Sequence, residues 1–423
     1  MTDWTSRFAA RGQALKPSAI RATAKFAEQP GAISFASGSP NPSLFPYDAI
    51  TQAMTAIMAD PRRRGEALQY GASEGYRPLR EFIERYLRDA GAQVALDMIT
   101  VTNGSQQALE FLAKLFVEPG DRIVVTNPTY LGALQAFGLF EPVYACVPTH
   151  QAGIDLEALE REFSQGAKFM YLMPDFGNPS GITLSLEERL KVLELSRRHK
   201  VLIVEDQAYE QLRFAPKALP SMLALDTSHP AGSSGRSTVN VIHAGTFSKS
   251  LVPGLRVGWV VAPPAVTQKL VSIKQASDLH GGQLNQMIVH DVATAILRDH
   301  TERLRGAYRR RRDLMLRALA RHMPQEVAWN EPGGGMFVWL SLPAPLDAAE
   351  LQMRAIRDEN VVFVPGAPFF ADSSGKATLR LSFSSVAEDA IAPGIERLAR
   401  AVRAAMAAEG EAAPVAAARA RSP

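Results

Sequence analysis

Between about residue 66 and residue 310, short apolar runs alternate with stretches of helical spacing. Met98–Thr102, Arg122–Thr126, Lys168–Met173, Val201–Glu205, Val239–Ala244 and Val257–Ala262 are each 5–6 residues long and rich in Val, Ile and Phe. Their apolar positions are consecutive rather than alternate, as in strands buried on both faces of a parallel sheet. Ser105–Phe116, Leu184–His199 and Pro264–Gln275, lying between them, carry helical periodicity. The alternation predicts an α/β chain whose large domain is doubly wound around a mostly parallel sheet. From Thr301 the pattern changes. Thr301–Met323 reads as one long helix, and the strand-like pieces MFVWLSL, VVFVPG and ATLRLSF surround a helix at Ala348–Glu359. A smaller α+β domain is expected there. The expected division is an N-terminal arm and small-domain segment at 1–45, a large domain at 46–305, a C-terminal small domain at 306–408, and a low-complexity tail at 409–423 without fixed structure.

Composition narrows the function. Hydrophobic residues make up 46% and charged residues 21%, near the globular average, which excludes wholesale disorder. No run reaches the ~18 apolar residues of a membrane span, and the N-terminus lacks the apolar core of a signal peptide. The single cysteine, Cys146, closes no intrachain disulfide, fits a reducing cytoplasm and reads as a small buried apolar residue. A net charge of +3 gives no push toward nucleic acid or membrane lipid. The eight histidines include no HExxH and no Cys/His set at zinc spacing, which argues against a metal hydrolase. Arg309–Arg312 reads as the solvated face of a helix and Arg62–Arg64 as an exposed turn. Gly333–Gly335 precedes a strand, so it is expected to be a tight turn rather than a phosphate loop.

The chemically informative residues follow the predicted strands, where open α/β sheets bind ligands. After ITVT comes Asn103-Gly-Ser-Gln-Gln-Ala-Leu109, a glycine turn into a helix whose first free N–H groups can hold an anion or simply be capped. Asn178-Pro-Ser-Gly181 follows FMYLMP, and Asp206-Gln-Ala-Tyr209 follows VLIVE. Thr246-Phe-Ser-Lys249 and then Arg256 lie on a crossing between two core strands. Asp206 alone fits a helix cap and Lys249 alone a snorkelling surface lysine. Together they supply an amine for a carbonyl cofactor, a carboxylate for its ring nitrogen, partners for its phenolic oxygen and an anion cradle. That is the inventory of a pyridoxal phosphate site.

In order and approximate spacing, Asn103–Leu109, Asn127-Pro-Thr-Tyr130, Asn178–Gly181, Asp206–Tyr209, Thr246–Lys249 and Pro253-Gly-Leu-Arg256 resemble the fold-type-I, class I/II aminotransferases. The resemblance runs from about Ser18 to about Leu398. SAIRATAKF, ISFASGSPNPSLFP, LQYGASEGY, SDLHGGQLNQ, GGGMFVWLSLP, VVFVPGAPFF and TLRLSFS are similar to the branch of 2-aminoadipate and kynurenine/aminoadipate aminotransferases.

The resemblance implies a role for each matching residue. Lys249 bonds the cofactor aldehyde and then moves a proton at the substrate α-carbon, its pKa lowered by desolvation and Arg256. Asp206 pairs with the ring nitrogen, Tyr209 and Asn178 bond the phenolic oxygen, and Tyr130 stacks on the ring. Ser105, Gln106, Ser248 and Arg256 hold the phosphate. Tyr70 reaches the phosphate in the partner subunit of a homodimer. Arg380 clamps the substrate α-carboxylate in a bidentate pair, with an interdomain salt bridge as the alternative. Gly38 allows a close backbone approach to substrate. Arg21 either meets the distal carboxylate of an acidic substrate or is an exposed helix residue. The implied enzyme is a cytoplasmic ping-pong transaminase. It moves the amino group of an L-amino acid (2-aminoadipate, glutamate, aromatic or branched-chain) to a 2-oxo acid such as 2-oxoglutarate.

Ser37, Gly281 and Gly282 depart from the pattern near the expected substrate pocket, which leaves side-chain preference open. Thr227–Thr238 reads as a longer surface loop. A β-lyase or racemase would use the same cofactor set. A non-catalytic ligand-sensing domain is the remaining alternative, and fusion to a winged helix would need roughly 60 additional N-terminal residues.

Overall fold

In the computed structural model, which describes residues 4–13, 25–150, 153–214, 218–228 and 239–419, the apolar runs build one eight-stranded sheet. After a short β1 (Ile33–Ser34), its strands are β2 (Ile99–Thr102), β3 (Arg122–Asn127), β4 (Val143–His150), β5 (Gly153–Ile154), β6 (Phe169–Leu172), β7 (Leu202–Gln207), β8 (Val241–Thr246) and β9 (Gly258–Val261). The order is β2-β9-β8-β7-β6-β3-β4-β5. β8, β7, β6, β3 and β4 are parallel neighbours, and β9 runs antiparallel between β8 and β2. Two reversals cancel, so β2 points the same way as the parallel strands. The C-terminal ends of β2, β3, β6, β7 and β8 therefore share one edge, the ligand edge of such a sheet.

β4 is absent from the run pattern because it lies beside the edge strand β5, and only Ala145 and Val147 of its eight positions are buried. Its apolar residues are interrupted by Tyr, Cys and Pro.

Alternation along each strand feeds two layers. Met170, Leu172, Ile203 and Val241 pack on one face. That layer is covered by α1 (Tyr47–Ala59), α3 (Arg77–Asp89), with α2 (Pro61–Leu68) between them, and part of α7 (Leu186–His199). Phe169, Tyr171, Val204, Ile242 and Ala244 pack on the other face, under α4 (Ser105–Phe116), α5 (Leu131–Gly138) and α9 (Pro264–Ser277). α6 (Leu156–Ser164) and the short α8 (Met222–Thr227) complete the first layer. The period of two places Asp206 on the Tyr171 face and Glu205 on the opposite one.

The helix expected at Thr301–Met323 is the second half of a single 40-residue helix, α10 (Gln283–His322). Met287–Leu297 of α10 joins the large-sheet core, while Leu304–Leu319 joins a second core. The expected boundary at 305/306 thus falls inside a rigid element rather than in a linker. The change of apolar partner, not a break in the helix, produces the change in sequence character. The second core is built on β10 (Ala328–Trp329), β11 (Phe337–Ser341), β13 (Val364–Pro365) and β14 (Thr378–Ser382). β1 pairs with β12 (Val361–Val362), which ties the N-terminal segment to this region. α11 (Ala348–Glu359) and α12 (Glu388–Arg419) cover it. The backbone of α12 continues to Arg419, past the expected boundary at residue 408, in line with the alanine content of that stretch.

Three local expectations change. Arg62–Arg64 lies in α2 rather than in a turn, and Arg63 pairs with Asp291 at 2.6 Å. Arg311 is buried and Arg312 donates to the Pro332 carbonyl, so only Arg309 and Arg310 form a solvated face. Cys146 is only half-buried, and its thiol is pushed up to about 11 by desolvation.

One buried ionic cluster braces the loop after β6. Asp175, 3% exposed, accepts from Arg189 at 2.9 Å, from Gln207 Nε2 at 3.0 Å and from Arg213. Arg189 is fully buried and also donates to the carbonyls of Leu184, Pro220 and Pro174. Removing the carboxylate would leave two cations without their counter-charge. Asp175→Ala is expected to cost about 3–5 kcal/mol in urea unfolding; a loss below about 1 kcal/mol would show that the cluster adds nothing.

Candidate active site

The anion cradle forms where β2 turns into α4. Gly104 takes φ +76°, a left-handed conformation that favours glycine, and delivers the free N–H groups of Ser105 and Gln106 to the shared edge. β9 crosses directly beneath. A Cβ on Gly258 would lie 2.7 Å from the Gly104 carbonyl carbon and 2.8 Å from the Ser105 nitrogen, so only glycine permits this approach. Arg256, at φ +53°, bends its guanidinium over the turn and donates to the Asn103 carbonyl at 3.2 Å. Ser248 Oγ accepts from Thr246 Oγ1 at 2.9 Å on the neighbouring crossing, and Gln106 Nε2 donates to the Gly132 carbonyl at 2.7 Å. Asp278 anchors the turn from behind, accepting from Asn103 at 2.6 Å and Gln107 at 2.8 Å while paired with the buried Lys274.

Asp206 closes β7 and is 2% exposed. Its Oδ2 accepts from the Tyr171 hydroxyl at 2.8 Å, and its Oδ1 is buried without a hydrogen-bond partner among the described residues. Burial pushes this carboxyl up to about 6, while the Tyr171 hydroxyl, His243 and Lys249 pull the other way. Behind it, on the opposite face, His243 Nδ1 lies 3.0 Å from Glu205 Oε2. Glu205 also accepts the backbone N–H groups of Met222 and Leu223, and it raises the His243 pKa.

Lys249, after β8, donates to the Gly38 carbonyl at 3.1 Å, and its amine lies 5.8 Å from the Tyr209 ring centre. Desolvation brings the amine down to about 8; the charges of Arg380 and Arg256 act in the same direction and Asp206 opposes. Arg380, on β14 and 1% exposed, donates to Asn178 Oδ1 and to the Ala36 carbonyl, both at 2.8 Å. Its guanidinium sits 4.3 Å from the Phe337 ring centre, and its Nε has no hydrogen-bond partner among the described residues. Burial lowers it to about 10, which leaves it charged at neutral pH. No carboxylate pairs with Arg380 among the described residues. A Cβ on Gly38 would lie 3.7 Å from Arg380 Nη2, so one glycine separates the amine from the guanidinium.

Tyr209 is buried with its ring 5.7 Å from Phe337, and desolvation raises its phenol. Tyr130 precedes α5, and its phenol too is raised by burial and then by the charge of Asp206. Tyr70 stands apart, 78% exposed with its edge against His280. Arg21, and the segment 229–238 within the loop expected at Thr227–Thr238, lie outside the described residues. The motifs leave Tyr171 unassigned, because one tyrosine inside the apolar run FMYLMP reads as a core residue. A phenol that needs a hydrogen-bond partner on a strand buried on both faces is the signal that singles it out.

Pyridoxal phosphate fits this donor set. The partnerless Asp206 Oδ1 matches a ring N–H, the lowered Lys249 amine matches an aldehyde, and the helix N-terminus with Arg256 matches a phosphate.

The family model of aminotransferase class I and II matches residues 33–398. A protein of Thermus thermophilus named 2-aminoadipate transaminase is 42% identical over 402 residues, covering 95% of this chain and 97% of that one. Aromatic-amino-acid aminotransferase 1 of Thermococcus litoralis is 36% identical, covering 95% of each. Among solved structures, the α-aminoadipate aminotransferase LysN of Thermus thermophilus, complexed with N-(5'-phosphopyridoxyl)-L-leucine, superposes with a TM-score of 0.87 at 39% identity, covering 96% of this chain and 100% of that one.

The lowered amine gives a pH signature. Only neutral amine attacks an electrophile, so acetylation of Lys249 by acetic anhydride in cofactor-free protein, followed by peptide mass spectrometry, should rise with pH about a midpoint near 8. A midpoint near the ordinary lysine value of 10.5 would contradict the desolvated setting.

Proposed function

The chain belongs to the class I and II aminotransferases, and from that premise we propose how its residues divide the work of amino-group transfer. It is a pyridoxal-phosphate enzyme. The cofactor, when bound, supplies an electron sink for the charge left on a substrate α-carbon when its proton departs.

In the proposed assignment Lys249 holds the aldehyde until substrate arrives and afterwards carries the proton at the α-carbon. An amine near 8 is neutral often enough to accept that proton and basic enough to keep it. Asp206 keeps the ring nitrogen protonated. Tyr209 and Asn178 hold the phenolic oxygen, and Tyr130 covers the ring. Ser105, Gln106, Ser248 and Arg256 bind the phosphate, with Tyr70 contributed to the partner's site. Arg380 fixes the α-carboxylate and Gly38 leaves room for it, so the bond to be broken faces Lys249. The observation that carries this reading is a buried, charged Arg380, without a carboxylate partner among the described residues, one glycine away from the lysine amine.

A ping-pong transaminase is proposed, with 2-aminoadipate, glutamate, aromatic or branched-chain amino acids as donors and 2-oxoglutarate as an acceptor. The names of the two relatives support the 2-aminoadipate and aromatic donors, and the L-leucine adduct bound in the LysN structure supports the branched-chain ones. A homodimer is proposed because Leu68, Tyr70 and Leu279 are 68%, 78% and 54% exposed, an apolar face suited to a second copy. A cytoplasmic setting accords with the lone Cys146. The division into a large domain at 46–305 and a small one at 306–408 is retained as a proposal based on the two cores, with α10 as the shared spine. No helix among the described residues is long and apolar enough to cross a membrane.

Purified protein with pyridoxal phosphate, 2-oxoglutarate and a donor panel should form glutamate and the matching 2-oxo acid. Arg380→Ala should lower kcat/KM for every donor on the order of 100-fold or more, chiefly through KM, because the α-carboxylate is common to all. Arg21→Ala should penalise only acidic donors. Pyruvate and ammonia from a β-substituted donor, with no transfer to 2-oxoglutarate, would replace the transaminase reading with a β-lyase.

A further inference from the structure

The two oxygens of Asp206 are in different states. Oδ2 is engaged by the Tyr171 hydroxyl at 2.8 Å, and Oδ1 is buried without a hydrogen-bond partner among the described residues. Tyr171 is fully buried on β6, its ring held edge-on to Phe137 with centroids 5.5 Å apart. The register pairs Tyr171 with Val204, and Asp206 is the next residue of β7 on that same face. The hydroxyl thus meets the carboxylate across one strand boundary without bending either chain. Burial keeps the phenol protonated, so it can only donate to an ionised neighbour. The other titratable groups that act on Asp206 are Lys249 after β8, Tyr130 before α5 and Tyr209 after β7, with His243 on β8 and Glu205 on β7 behind it on the opposite face.

We propose that Tyr171 is a positioning residue for the cofactor ring. By occupying Oδ2 it leaves Oδ1 as the acceptor for the ring N–H, and by donating to the carboxylate it keeps the shared proton on the ring. This deepens the function proposed above and rests on it. Without the hydroxyl, an anionic carboxylate in an apolar layer has lost its fixed donor. The N–H bond then breaks, an O–H bond forms on Asp206, and the ring loses the positive charge that withdraws electrons.

The test compares pyridoxal phosphate with its 1-deaza analogue, in which carbon replaces the ring nitrogen, on cofactor-free wild-type and Tyr171→Phe protein. Wild type should prefer the nitrogen ligand. Tyr171→Phe should lose about tenfold to a hundredfold of that preference, the range of a hydrogen bond to a charged group, with little change for the deaza analogue. With ring-15N cofactor bound, the variant's nitrogen resonance should move toward the neutral pyridine position. An undiminished preference and an unmoved resonance would overturn the role of Tyr171. Equal binding of both ligands by wild type would remove Asp206 from the ring nitrogen, and this inference with it. Since phenylalanine leaves a buried oxygen unpaired, 3-fluorotyrosine at position 171 provides a shape-preserving check. Its stronger donor should raise the preference, and an unchanged preference would count against the proposal.

Discussion

Incomplete solvation of a few buried charges governs this site. Asp206, Lys249 and Arg380 are withdrawn from water, and each pKa is moved toward the neutral form by burial. The protein compensates only part of that cost. Among the described residues, Asp206 keeps one oxygen without a partner, Arg380 keeps its Nε free, and Lys249 rests on a backbone carbonyl rather than on a carboxylate. Asp175 differs in that its carboxylate is paired with two cations, Arg189 and Arg213, and also accepts from Gln207. At the sheet edge the incompletely paired Asp206, Lys249 and Arg380 are what a ligand with a cationic nitrogen, an aldehyde and a carboxylate can satisfy.

The sheet makes this tolerable. Five strands that end at a common edge bring residues from distant parts of the chain together without long loops. The alternation along β7 then sends neighbouring carboxylates to opposite faces. Glu205 is satisfied by His243, Gln207 and two backbone N–H groups, whereas Asp206 is left to Tyr171 and the site. When protonated, His243 acts through the sheet and favours the ionised form of Asp206. Arg380 and the Ala36–Gly38 segment arrive from the second core, joined to the first by the unbroken α10. The site therefore needs both cores in register.

Much of this was legible in the chain because the apolar runs on both faces are unambiguous and polar residues directly after them stand out. Lys249, Asp206, Asn178 and the Gly104 turn are of that kind. What escaped has specific causes. β4 is half covered, so its apolar residues do not form a run. α10 crosses between two cores, so its apolar stripe changes partner midway and its first half does not read as continuous with Thr301–Met323. Tyr171 hides because a phenol contributes to a strand's apolar pattern while its hydroxyl acts elsewhere. The contact between Lys249 and Gly38 spans 211 positions, and no local pattern encodes such a pairing.

One amine must do the covalent work, and the chain offers competing lysines, among them Lys274, whose side chain is also buried but is paired with Asp278. Borohydride reduction of the cofactor-loaded protein, followed by proteolysis and mass spectrometry, reads the attachment point directly. The expected result is a single pyridoxyl-modified peptide carrying Lys249. Stoichiometric modification of another lysine, with Lys249 left free, would contradict the site as described.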